Sequence, residues 1–122
     1  MAKKIFVVDD SKIALEIVRE TLEREGYEVF EAADGVVAHR QLKSQDVDLL
    51  ITDLNMPNMN GIDLAKTVRR MPEKKFLPIL IMTTNKDERD VRLAEPLSIA
   101  AWLDKATEMT RLPKMVGLLI GA

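Results

Sequence analysis

The sequence predicts an α/β domain of the doubly wound kind: five parallel strands alternating with five helices, a (βα)5 chain with helices on both faces of the sheet. Two observations carry that prediction. Short, nearly uninterrupted apolar runs recur five times, as strands buried on both faces require. Between them lie longer stretches whose apolar residues are spaced by threes and fours, the signature of a helix with one buried face. No internal repeat, low-complexity tract or Pro/Gly/Ser-rich linker breaks the alternation, and 122 residues suit a single domain spanning 1–122.

The elements follow in order. Ile5-Phe6-Val7-Val8 is β-branched and aromatic, and reads as the first strand. Ile13, Ala14, Ile17, Val18 and Leu22 mark the buried face of a helix that Ser11 caps and Gly26 ends. Tyr27 to Glu31 reads as the second strand, and Asp34-Gly35 turns the chain into a helix carrying Val36, Ala38 and Leu42. Val47 to Thr52 is the third strand, followed by the loop Asn55-Met56-Pro57-Asn58-Met59-Asn60-Gly61 and a helix with Leu64, Ala65 and Val68. Pro78 to Met82 is the fourth strand. Asp87 to Glu95 is a charge-rich helix stopped by Pro96, Ser98 to Leu103 is the fifth strand, and Leu112, Met115, Val116, Leu119 and Ile120 stripe the last helix. Each strand–helix–strand crossover is expected to be right-handed.

Composition removes whole classes of function. Without cysteine there is no disulfide framework, zinc–thiolate site or Cys nucleophile. His39 is the lone histidine, which leaves no His-rich metal site. Eighteen Lys and Arg against 20 Asp and Glu give a net charge of −2, and with five aromatics this argues against a nucleic-acid binder. No apolar run approaches the roughly 20 residues of a membrane span. The N-terminus runs from Lys3-Lys4 through four apolar residues straight into Asp9, too short for a signal peptide, so the expected location is the cytoplasm.

Sites in open α/β sheets form beyond the carboxyl ends of the strands. The polar residues there are Asp9 and Asp10 after the first strand, Asp53 after the third, Thr83 after the fourth and Lys105 past the fifth. Singly, each has an ordinary explanation: short carboxylates cap helices or solvate turns, a threonine can sit in a turn, and a lysine can be a solvated charge. Together they are harder to dismiss. Carboxylates gathered at about 4 Å repel by about 4 kcal/mol per pair at an effective dielectric of about 20. An oxygen-only set of this kind suits a hard cation that keeps waters and shares a phosphate, namely Mg²⁺. A carboxylate can also attack phosphorus to form an acyl phosphate. Mg²⁺, the Lys105 ammonium and the Thr83 hydroxyl would then offset the charge on the three equatorial oxygens. Asp53, from the central strand, is the nucleophile of choice.

This constellation resembles the receiver domain of two-component response regulators, and among them the single-domain chemotaxis type. The resemblance spans the chain. It rests on Val7-Val8-Asp9-Asp10-Ser11, on Thr52-Asp53-Leu54-Asn55-Met56-Pro57-Asn58-Met59-Asn60-Gly61, on Thr83 thirty residues after Asp53, and on Lys105 twenty-two after Thr83. It implies the flavodoxin-like strand order 2-1-3-4-5. It makes Asp53 the phosphoacceptor, and Asp10, Asp53 and the Asn55 carbonyl direct Mg²⁺ ligands with Asp9 acting through water. Thr83 and Lys105 become the pair that senses the phosphoryl group, with Trp102 as the aromatic that turns when Thr83 moves. It further implies a phosphohistidine on a separate kinase as donor; His39, in a helix far from the strand ends, is not that donor, and its helical register puts it at a half-buried position near the apolar face. Asn55 and Asn85 match positions that tune hydrolysis.

Three departures from the family pattern cluster near its output surface: Ala106 where proline usually follows the lysine, Thr84 where a small residue follows the switch threonine, and Pro96-Leu97-Ser98-Ile99 for the usual Gly-Ala turn. A cis bond to a non-proline residue costs about 2.5–4 kcal/mol, so at Ala106 either the bond is trans and the loop differs, or the site is strained.

The expectation is a stand-alone phospho-switch. It captures and loses its own phosphoryl group rather than turning over an external substrate. It would be a monomer and would signal through the face made by the fourth helix, fifth strand and fifth helix, to a motility motor component or a similar protein. The alternatives are an unphosphorylated interaction module of the same fold and a domain trimmed from a larger regulator. A phosphatase of similar architecture would carry an Asp-x-Asp at the end of the first strand, where Asp9 and Asp10 are instead adjacent, and a nucleotide enzyme a Gly-x-x-x-x-Gly-Lys or a Gly-x-Gly-x-x-Gly, neither of which occurs.

Overall fold

A computed structural model describes residues 2–121. Five strands, β1 (Lys4–Val8), β2 (Glu28–Ala32), β3 (Leu49–Asp53), β4 (Ile79–Thr83) and β5 (Ala101–Asp104), form one sheet. All neighbouring pairs are parallel, in the order β2-β1-β3-β4-β5. The helices are α1 (Lys12–Arg24), α2 (Gly35–Leu42), α3 (Gly61–Arg69), α4 (Glu88–Ala94) and α5 (Leu112–Ile120). Among the described residues, no helix is long and apolar enough to cross a membrane.

Strand alternation divides the core in two. Ile5, Val7, Leu49, Ile51, Leu80, Met82 and Leu103 meet α1 and α5, through Leu15, Val18, Leu22, Leu112 and Val116. Phe6, Val8, Leu50, Ile79 and Ile81 face the other way, onto Ala38, Leu42, Leu64, Val68 and Ala94 of α2, α3 and α4. The central strands β3 and β4 are buried along their whole length, which is why their sequences run apolar without alternating.

Helix starts follow local chemistry. The side chains of Ser11, Asp34, Asn60 and Asp87 each accept a backbone N–H of the turn that follows, capping α1 to α4. Gly26, at φ 95°, sits where a left-handed residue ends α1.

Three expectations need correction. In α1 the sheet buries Leu15, Val18 and Leu22, whereas Ile13 and Ile17 are 71% and 50% exposed. Both sets fit helical spacing, and the rotation of the helix against the sheet selects between them. Val36 is likewise exposed on α2. Finally, β5 starts at Ala101 rather than Ser98. Pro96 lacks a donor, residues Glu95–Leu97 form a 3₁₀ turn, and Ser98 takes a left-handed conformation at φ 56°. Arg69 holds this segment from α3. Its guanidinium donates to the carbonyls of Leu97 and Leu77 at 2.8 Å, of Lys74 at 3.2 Å and of Ser98 at 3.4 Å.

Candidate functional site

The ladder carries the predicted residues to one rim of the sheet. Asp53 and Thr83 are themselves the last residues of β3 and β4, one position later than the apolar runs suggest. Asp9 and Lys105 continue the pairing just past β1 and β5: the Asp9 N–H donates to the Ala32 carbonyl at 3.2 Å, and the Lys105 N–H to the Thr83 carbonyl at 2.8 Å. Because side chains alternate, Asp9, Asp53 and Lys105 share the parity of the α1/α5 face. Thr83 and Trp102 share the parity of the α2–α4 face, where Trp102 pairs with Ile81 in register and packs half-buried against that core.

Asp9, Asp10 and Asp53 each offer a carboxylate oxygen, and these oxygens lie within 4.8 Å of one another. Asp9 is fully buried and Asp10 exposed. One Asp9 oxygen accepts the Ser11 N–H at 3.0 Å and the other accepts the Lys105 ammonium at 2.6 Å. That ammonium lies 3.6 Å from Asp53. Asp53, 7% exposed, has its carboxyl pushed up to about 6. Burial is the main cause, followed by the Asp9 charge and, less strongly, Asp10; Lys105 and the Leu54 N–H act in the opposite direction.

Three carboxylates against one ammonium leave an excess of negative charge that no other side chain within ion-pair distance offsets among the described residues. The donors are all oxygens, two of them well shielded. That set fits a hard divalent cation such as Mg²⁺.

The remaining predicted residues also have places. The Thr83 hydroxyl is buried and accepts the Asn85 N–H at 3.1 Å, leaving its own proton free to donate. Asn55 and Thr84 are exposed in the loops after β3 and β4. His39 is half-buried in the last turn of α2, away from this rim. The Lys105–Ala106 bond is trans, as no described peptide bond is cis. The Ala106 N–H, which a proline would lack, donates to the Asp104 carboxylate at 2.8 Å, and the Asp104 N–H donates to Glu108 at 2.9 Å. The loop is therefore built differently, around Asp104, a device the sequence did not advertise.

Gly61 was visible only as part of the loop motif, yet the site depends on its missing side chain. A Cβ there would lie 2.5 Å from the Asp53 carbonyl oxygen and 3.1 Å from the Leu54 Cα, both main-chain atoms. Gly61→Ala is expected to destabilise the fold by about 1–3 kcal/mol, as overpacking does, and to weaken Mg²⁺ binding by displacing Asp53. Thermal melts with and without Mg²⁺ check both effects; an unchanged Mg²⁺ response would show that the close approach is irrelevant to the site.

Comparison with known proteins agrees with this geometry. The response regulator receiver domain profile matches residues 5–117. Chemotaxis protein CheY1 of Helicobacter pylori is 38% identical over 120 residues, covering 97% of each chain. The structure of Vibrio cholerae CheY4 superposes with a TM-score of 0.92 at 34% identity, over 98% of this chain and 99% of that one. TrrA of Thermotoga maritima, solved in complex with Mg²⁺-BeF, gives 0.84 at 30% identity, over 96% and 98%. Sheet order, buried acids at the rim, whole-chain profile and whole-chain relatives agree: the chain belongs to the response regulator receiver domain family and is of the CheY type.

Proposed function

We propose that this protein is a phospho-accepting response regulator that takes a phosphoryl group from a histidine kinase onto Asp53. The observation that carries the proposal is the three-carboxylate cluster with Lys105 reaching between Asp9 and Asp53. Asp9, Asp10, Asp53 and the Asn55 carbonyl would hold Mg²⁺, which when bound supplies positive charge to the phosphoryl oxygens; the TrrA structure with Mg²⁺-BeF supports that reading.

The chain's own groups then divide the work. The ionised Asp53 carboxylate forms the new O–P bond as the P–N bond to the donor imidazole breaks, and the imidazole leaves with the electron pair. Asp53 is mostly ionised above about pH 6, so it is competent near neutrality. Lys105 follows the negative charge from the Asp9 and Asp53 carboxylates to a phosphoryl oxygen. The free Thr83 hydroxyl proton can donate to another, which draws Thr83 toward Asp53 and leaves space beside Trp102 on the same face of the sheet. Hydrolysis of the acyl phosphate restores the carboxylate.

The signal would leave through α4, β5 and α5, where Leu93 and Leu118 are 58% and 79% exposed. A motility motor component is one candidate target, and the protein would act in the cytoplasm as a monomer. Incubation with Mg²⁺ and a small acyl phosphate is expected to add one phosphoryl group, seen by intact-mass spectrometry and abolished by a chelator. No mass gain in Mg²⁺ would instead assign the chain to inert interaction modules.

A further inference from the structure

A groove away from the acidic rim lies at the opposite end of the strands. Helices α2 and α3 both start at the rim that carries Asp53 and run away from it, α3 for about 14 Å at 1.5 Å per residue. Their last turns, with the 3₁₀ turn Pro72–Lys74, enclose a groove of about 530 Å³. That volume is in the usual range for a small-molecule site.

Its walls are cationic. Lys43, Arg70 and Lys74 line it with His39 beside them, and Glu73 is the one acid in the lining. Three fixed positive charges and one negative give a net of +2, in a protein whose total is −2. None of these residues makes an ion pair among the described residues, in contrast to Arg19, Lys66, Arg92, Lys105 and Arg111.

The ordinary explanation is that cations offset the carbonyl ends of helices. Lys43 and Arg70 do cap α2 and α3. Each helix end carries only about half a negative charge, so the two together account for about one of the surplus charges. Lys74 is not explained that way. It is 6% exposed, yet no carboxylate lies within salt-bridge distance of its ammonium among the described residues. Its buried part is the aliphatic stem, and the ammonium reaches solvent at the groove. Met71 and Pro72 add an apolar wall beside the charges.

We propose that this groove binds a small phosphorylated ligand of the nucleoside phosphate class. Lys43, Arg70 and Lys74 hold the phosphate oxygens, and Met71 with Pro72 receives the base. The inference is independent of the chemistry at Asp53.

The test is calorimetric titration of the full chain with ADP and, separately, with inorganic pyrophosphate, in chelated buffer so that no metal bridges phosphate to the acidic rim. One saturable ADP site is expected, tighter than pyrophosphate and unchanged in Asp53→Asn. Lys43→Gln with Arg70→Gln, both at exposed positions, should weaken it at least about tenfold, as loss of charge-assisted contacts does. Lys74→Met should do the same, and Lys86→Gln, remote from the groove, should not. Absence of a saturable site overturns the proposal. So does equal loss in the Lys86 variant, pyrophosphate binding as tightly as ADP, or an oligoglutamate peptide binding more tightly than either.

Discussion

Asp53→Asn is expected to abolish phosphoryl incorporation and, at the same time, to make the metal-free protein more stable at pH 8. The first effect follows from removal of the nucleophilic oxygen. The second follows from the cost of ionising a buried acid. In the folded chain this carboxyl titrates at about 6, against an ordinary value of 3.8. A raised folded value favours the fold below pH 3.8, and that advantage is lost as the pH climbs through about 6. Above it, the ionised side chain costs about 3 kcal/mol, the free-energy equivalent of that interval. Asparagine carries no such charge. The variant should therefore melt about 10 °C higher at pH 8 and show no advantage near pH 4. Circular-dichroism melts across pH in chelated buffer check this. Equal melting temperatures at pH 8 would mean that Asp53 is not strained by its neighbours.

Lys105→Met acts in the opposite direction. The ammonium is 2.6 Å from Asp9, a carboxylate only 1% exposed. Removing one partner of a buried pair leaves the other uncompensated, at a cost of about 3–5 kcal/mol. The metal-free variant should be destabilised on that scale and its Asp53 carboxyl driven higher still, since Lys105 is the cation that holds it down. Adding Mg²⁺ should then raise the melting temperature of the variant more than that of the parent. At the proposed site the lysine and the metal would compete in the parent for the same oxygens, and binding to the folded state stabilises in proportion to affinity. If Mg²⁺ stabilises both proteins equally, lysine and metal do not share the cluster.

The acidic rim was legible because the fold makes it so. Apolar runs announce buried parallel strands, and the first polar residues beyond them fall on one edge whatever their identity, so Asp9, Asp10, Asp53, Thr83 and Lys105 could be named before any coordinates. Residues whose roles depend on rotation or on long reach were hidden. Ile13 and Ile17 match helical spacing as well as Leu15 and Val18 do, and only the sheet beneath distinguishes them. Arg69 looks like one more charge on a helix surface, yet it bonds four carbonyls from two separate segments. Sequence spacing also could not show that Ala106 supplies a donor to Asp104 and so builds the turn after Lys105 without proline.

The alternation that places Asp9, Asp53 and Lys105 on one side of the sheet, and Thr83 with Trp102 on the other, makes the sheet a partition. Under the proposed function, capture of phosphorus would belong to one compartment and its readout to the other, joined at the rim where both sets of side chains end. Repacking beneath α1 and α5 should thus alter how fast the protein is charged, while repacking beneath α3 and α4 should alter how far the news travels. Tuning either property need not disturb the other.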